Sequence, residues 1–110
     1  RQVVERVDAW IRTHAAQPMS LDELRTVAGV SARTLQEACL ARWGQTPMEL
    51  VASRRLEIAR SLLSSGRETT VTAAALHSGF SHLGRFSVVY KRAFGESPSD
   101  TLAARGATRS

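Results

Sequence analysis

Two stretches of the chain repeat each other, and this limits the fold more than any other feature. The segment from Ser20 to Pro47 answers to the segment from Thr70 to Pro98. Ala28-Gly29-Val30-Ser31 aligns with Ser78-Gly79-Phe80-Ser81 at an offset of 50. Beyond the turn the offset becomes 51, as if one residue were inserted. Leu35, Ala38, Cys39 and Trp43 then align with Phe86, Val89, Tyr90 and Phe94, both sets spaced i, i+3, i+4, i+8. That spacing is one buried stripe along a helix. Gly44 aligns with Gly95, and Pro47 with Pro98. Self-similarity of this kind implies one structural unit built twice.

Each unit reads as a helix, a short turn containing glycine and a second helix. The first helices are predicted at about Leu21–Ala28 and Val71–Ser78, the second at about Ala32–Arg42 and His82–Ala93. Gly29 and Gly79 stand in the turns, where a positive φ carries no steric cost for glycine. Ser20 with Glu23, Thr46 with Glu49 and Ser97 with Asp100 have the form of reciprocal capping boxes, and Ser31 and Ser81 are placed to cap the helices that follow them. Pro47 and Pro98 follow their caps, where a missing N–H costs nothing. Val3, Val7, Trp10 and Ile11 form the buried face of a further helix ahead of the repeat. A longer helix, about Met48–Ser64, lies between the units, spans roughly 25 Å and ends at Ser64-Ser65-Gly66, with Ala52, Leu56, Ala59 and Leu63 as its inner face. The fold class is therefore all-α. We expect residues 1–47 to form a first subdomain, 48–66 a linker helix and 67–110 a second subdomain.

The composition excludes several classes of protein. No apolar run approaches the roughly 20 residues that a membrane span needs, so no membrane partner is expected. No charged and then apolar leader opens the chain, and Arg1 in place of Met suggests a fragment or a processed chain. The single cysteine, Cys39, makes no internal disulfide and builds no zinc site alone, which points to a reducing compartment. It lies on the buried stripe, where a thiol behaves as a small core residue. His14, His77 and His82 have no metal-ligand spacing, and no phosphate loop, nucleophile elbow or paired carboxylates occur. No cofactor, metal or catalytic site is expected. The aromatic residues Trp10, Trp43, Phe86, Tyr90 and Phe94 fall on helical stripes and read as core. The 15 cations, 14 of them Arg, exceed the 10 carboxylates by five, a balance that favours a polyanion partner.

A short helix, a tight turn and a second helix make a helix-turn-helix, whose second helix enters the major groove of DNA. The buried stripe fixes which residues face outward. In the first unit these are Arg33, Thr34, Gln36 and Glu37. Arg suits the O6/N7 pair of guanine, Gln the N6/N7 pair of adenine, and Glu accepts from cytosine N4. In the second unit the outward face is Gly84, Arg85, Ser87 and Val88, with His82 and Leu83 at the helix start and Lys91 and Arg92 farther along. Leu83 and Val88 suit a thymine methyl, while Lys91 and Arg92 suit phosphates. Arg85 either reads a base or holds a phosphate. Glu37 either selects cytosine or pairs with a nearby Arg.

With these residues in view, the chain resembles the DNA-binding domain of AraC/XylS-type bacterial transcription regulators, from about Val3 to Leu102. The resemblance rests on Gly79-Phe80-Ser81, on Phe86-Ser87, and on the run Tyr90-Lys91-Arg92-Ala93-Phe94-Gly95-Glu96-Ser97-Pro98. The run Arg55-Leu56-Glu57-Ile58-Ala59-Arg60-Ser61-Leu62-Leu63 is similar to the family's linker helix. The resemblance implies the C-terminal domain of a larger cytoplasmic, nucleoid-associated regulator. It implies seven helices, with two recognition helices in successive major grooves about 34 Å apart. It further implies double-stranded DNA and RNA polymerase as partners, and an effector or dimerisation domain outside this stretch. Arg55 matches the linker-helix Arg, a place that suits pairing with a helix terminus or a carboxylate; Arg54 and Arg60 stay ambiguous in the sequence.

Glu37 and Gly84 depart from the richer reading faces of relatives, so the first unit is expected to carry more of the sequence choice. Two other readings compete. One is a helix-turn-helix scaffold used mainly for protein contacts, which Leu83 and Val88 favour and Arg33, Gln36 and Lys91 oppose. The other is a fragment of an enzyme, since such modules also occur fused to DNA-repair methyltransferases.

Overall fold

The computed structural model describes residues 2–109, with side chains from 3 to 105. Over these residues the chain is helical, without strands: α1 (Gln2–His14), α2 (Leu21–Ala28), α3 (Ala32–Trp43), α4 (Pro47–Ser65), α5 (Val71–His77), α6 (Leu83–Phe94) and α7 (Pro98–Arg109). It divides into two compact units, Arg1–Arg54 and Arg55–Ser110, with the boundary inside α4.

The first unit packs around Val4, Val7 and Ile11 of α1, Leu24 and Ala28 of α2, Leu35 and Cys39 of α3, and Leu50 and Val51 of α4. Trp10, Ala38 and Trp43 close its edges, half-buried. The second unit packs around Leu56, Ala59 and Leu63 of α4, Ala74 and Ala75 of α5, and Phe86 and Tyr90 of α6. Val89, Phe94 and Leu102 lie against that core. The two stripes of the repeat thus have the same pattern: the first and third positions are wholly buried, the second and fourth half-buried. Rings run along the second stripe, with centroids 4.8 Å apart for Phe80 and Phe86, 5.5 Å for Phe86 and Tyr90, and 4.7 Å for Tyr90 and Phe94. Burying each such side chain contributes about 1.5–3 kcal/mol.

One residue of the expected inner face of α4 is misplaced. Ala52 is exposed. The helix supplies Leu50 and Val51 to the first core and Leu56, Ala59 and Leu63 to the second. These are separate stripes on one cylinder, and Ala52 continues the second stripe into a stretch where only the first is covered.

The turns follow the caps. Ser20 and Glu23 form the reciprocal box, Glu23 N–H donating to Ser20 Oγ at 3.1 Å and Ser20 N–H to Glu23 Oε1 at 3.0 Å. Thr46 with Glu49 and Ser97 with Asp100 repeat this arrangement. Gly29 ends α2 with φ 74°, its N–H donating to the Arg25 and Thr26 carbonyls, and Ser31 Oγ then accepts from Thr34 N–H at 3.2 Å. Thr70 caps α5 by accepting from Ala73 N–H at 3.1 Å.

Ser81 does not cap α6. That helix starts at Leu83, and its N-cap is His82, which makes no side-chain cap bond. The residue inserted in the second turn carries Ser81 one position too far from the helix. At the offset of 51, His82 stands in the place of Ser31, and α3 and α6 are both 12 residues long.

Candidate nucleic-acid interface

Because Leu35 and Cys39 are buried, α3 turns Arg33, Thr34, Gln36 and Glu37 outward, and all four are exposed. Burying Phe86 and Tyr90 does the same for Leu83, Gly84, Arg85, Ser87, Val88, Lys91 and Arg92 of α6, and His82 is exposed ahead of them. Each helix therefore brings its own set together on one face.

The polar groups of α3 are partly engaged with one another. Arg33 Nε donates to Glu37 Oε2 at 3.3 Å, an i,i+4 pair that is 89% and 65% exposed. Of the two roles open to Glu37, the geometry displays the pairing with Arg. An ion pair so exposed adds at most about 0.5 kcal/mol to helix stability. It leaves the two terminal amino groups of Arg33 outside that bond, and these are the groups a guanine edge uses. Thr34 Oγ1 accepts from Ser31 Oγ at 3.0 Å, which leaves the threonine hydroxyl as a donor.

Leu40 extends the same stripe and is 43% exposed. The sequence pattern does not single it out, although it lies seven residues beyond Arg33 and matches Lys91 at the offset of 51. On α6 the character changes. Val88 is 57% exposed and Leu83 41%. The cations Arg85, Lys91 and Arg92 flank them, and the helix sequence contains no carboxylate. Charge is divided unevenly as well. The first unit carries seven Arg and six carboxylates, whereas the second carries eight cations and four carboxylates.

The ambiguous arginines lie elsewhere. Arg54 Nε meets Asp8 Oδ1 at 2.6 Å, largely out of solvent, and its guanidinium lies 5.5 Å from the centre of the Trp43 ring. This joins α1, α3 and α4 within the first unit. Arg55 is half-buried, and that burial lowers its pKa. The Arg60 guanidinium sits 4.7 Å over the Phe94 ring. His14 stacks on Trp10, and His77 pairs with Glu68. Cys39 is wholly buried, and desolvation raises the pKa of its thiol. A cleft of about 650 Å³ lined by Arg60, Glu96, Thr101 and Arg105 includes none of the outward residues of α6. Among the described residues no three His, Cys, Asp or Glu are grouped to hold a metal ion, and no helix is long and apolar enough to cross a membrane.

Two helix-turn-helix units, each with an exposed polar or cationic face on its second helix, define a double helix-turn-helix domain. Comparison with known proteins narrows the class. The family model described as "Helix-turn-helix domain" matches residues 24–104. The chain is 40% identical over 101 residues to the XylDLEGF operon transcriptional activator 2 of Pseudomonas putida, covering 90% of this chain and 64% of that protein. It is 39% identical to a probable AraC family transcriptional regulator from Rhodopseudomonas palustris CGA009, whose crystal structure superposes with a TM-score of 0.84 over 96% of this chain and 98% of that one. The DNA-binding domain of AdpA, a global transcriptional factor solved in complex with a target DNA, is 26% identical and superposes with a TM-score of 0.85 over 97% of this chain and 95% of that one. The chain belongs to the helix-turn-helix domain family, in its AraC/XylS-type double form. This is a family of regulator DNA-binding domains and not of enzymes. The chain spans between 31% and 64% of the length of the XylDLEGF activators it matches.

Proposed function

We propose that this domain binds double-stranded DNA sequence-specifically at bacterial promoters, with α3 and α6 each entering a major groove and α4 linking the two units. The observation that carries the reading is the repeat itself. Two helices of equal length expose their outward faces at the same offset, and those faces carry eleven candidate contact residues, all exposed. Arg33 and Gln36 supply hydrogen-bonding groups that match purine edges. Thr34 and Glu37 complete the polar surface around them on α3, and Ser87 lies on the outward face of α6. Lys91 and Arg92 lie farther along α6, where phosphate contacts position the helix, and Arg85 and His82 lie at its start. Within the intact regulator, RNA polymerase is a partner, and an effector or dimerisation domain lies outside this stretch. The relatives' greater length supports that part of the reading.

The test is selection from randomised duplex DNA at near-physiological salt. Two enriched motifs about 10 base pairs apart are expected, because successive grooves on one face recur each helical turn. One motif alone would confine base reading to one unit. Binding without enrichment would refute sequence-specific recognition and favour a protein-contact role.

A further inference from the structure

We propose that α6 reads pyrimidine C5-methyl groups by apolar contact through Leu83 and Val88, and that Gly84 lets the helix backbone close on the groove. The inference rests on the double helix-turn-helix reading above and assigns the chemistry of its second half.

The core of the second unit is complete without these residues. Phe86 and Tyr90 are wholly buried, while Val88 stands in solvent on the opposite side of the helix and Leu83, at the helix start, is exposed at the edge of the buried stripe. Gly84 and Val88 are one turn apart, as are Leu83 and Ser87, so the four make one contiguous strip. Gly84 has no positive φ, and a Cβ built there would meet nothing within 4 Å. Neither the backbone nor crowding inside the protein requires glycine at that place. Glycine nevertheless destabilises a helix relative to alanine. What the missing side chain leaves is room for a surface approaching from outside, one of the settings in which glycine recurs.

Charge identifies that surface. Arg85, Lys91 and Arg92 flank the strip, α6 has no carboxylate, and its unit carries twice as many cations as carboxylates. A polyanion complements this arrangement, and the one apolar group on the major-groove edge of DNA is the thymine methyl. The first unit differs, since Arg33, Thr34, Gln36 and Glu37 at the start of its outward stripe are all polar and the exposed Leu40 lies about two turns farther along. The two units therefore read by different chemistry, hydrogen bonds in α3 and methyl contact in α6.

The test uses the 110-residue chain and its selected duplex. Each thymidine is replaced in turn by deoxyuridine, and affinity is measured by competition at fixed salt. At one or two positions within a single motif, affinity is expected to fall about fourfold per methyl, the worth of one buried methyl group. Leu83→Ala or Val88→Ala should abolish that uracil penalty at a given position. Both side chains are exposed, so the fold should persist, and melting temperature checks this. Gly84→Ala should raise the melting temperature while weakening binding. Uracil tolerated at every position, or a penalty that survives both alanine variants, would overturn the proposal while DNA recognition stands. If selection returns no second motif, the parent reading of α6 fails first and the strip becomes a protein-contact surface. Unchanged affinity in Gly84→Ala would overturn the close approach.

Discussion

Tyr90 and Thr101 offer a sharp test of how the second unit is held together. Both are buried, and Tyr90 Oη lies 2.7 Å from Thr101 Oγ1. Thr101 Oγ1 in turn donates to Glu96 Oε2, so the tyrosine hydroxyl is the donor to threonine. Among the described residues no buried side-chain polar atom lacks a partner. Thr101→Val keeps the shape but strands the tyrosine hydroxyl and removes a donor from Glu96, at an expected cost of about 2 kcal/mol. Tyr90→Phe removes one hydrogen bond and leaves Thr101 bonded to Glu96, at about 1 kcal/mol. In the double variant no hydroxyl is stranded, so adding Tyr90→Phe to Thr101→Val should cost nothing or restore stability. Urea unfolding followed by far-ultraviolet circular dichroism measures each midpoint, with an unchanged slope required for the comparison. If the two single costs simply add in the double variant, the hydroxyl chain is not a coupled unit and the reasoning fails.

Further outcomes follow from the same description. Arg33→Ala should cost about 1–3 kcal/mol on the selected site and relax choice at one base pair; a uniform loss on every duplex would make Arg33 a phosphate contact. Burial raises the Tyr90 pKa, and Thr101 and Arg60 only partly oppose it. The folded chain then keeps a proton that the unfolded chain releases, so stability should fall as pH rises past the usual tyrosine value of about 10. Tyr90→Phe should flatten that alkaline decline, as read from melting temperature across the range. Alkylation of Cys39 should proceed only through unfolding, because its thiol is buried and its pKa is raised; rapid labelling of the native chain would contradict the core placement.

Much of this fold is written locally, and so was legible in the sequence. The stripes of α3 and α6 follow from spacing alone, and three capping boxes follow from residues three apart. The failures have physical causes. Periodicity misplaces Ala52 because it describes one buried face, whereas α4 feeds two cores in succession. The repeat misplaces Ser81 because an insertion inside a turn has no fixed place in the sequence alone. Thr70 carries no capping-box signature because Ala73, three residues on, offers no returning side chain. The contact between Arg54 and Asp8 joins residues far apart in the chain, and no local pattern announces it. At the candidate interface, the stripes identified the outward residues, but the Arg33–Glu37 pairing needed coordinates. Leu40 is not legible as an outward residue, because an apolar residue near a buried stripe reads as core.

The division of aromatic residues has a consequence for measurement. Trp10 and Trp43 are the chain's two tryptophans, and both border the first core. The one tyrosine and all three phenylalanines lie in the second unit. Indole emission therefore follows the melting of the first unit alone, and tyrosine absorbance follows the second. Because α4 contributes to both cores, the gap between the two midpoints in one sample reports how far unfolding of one half pulls on the other. Coincident midpoints would mark α4 as a cooperative coupling, and separated midpoints as a tether between independently melting halves.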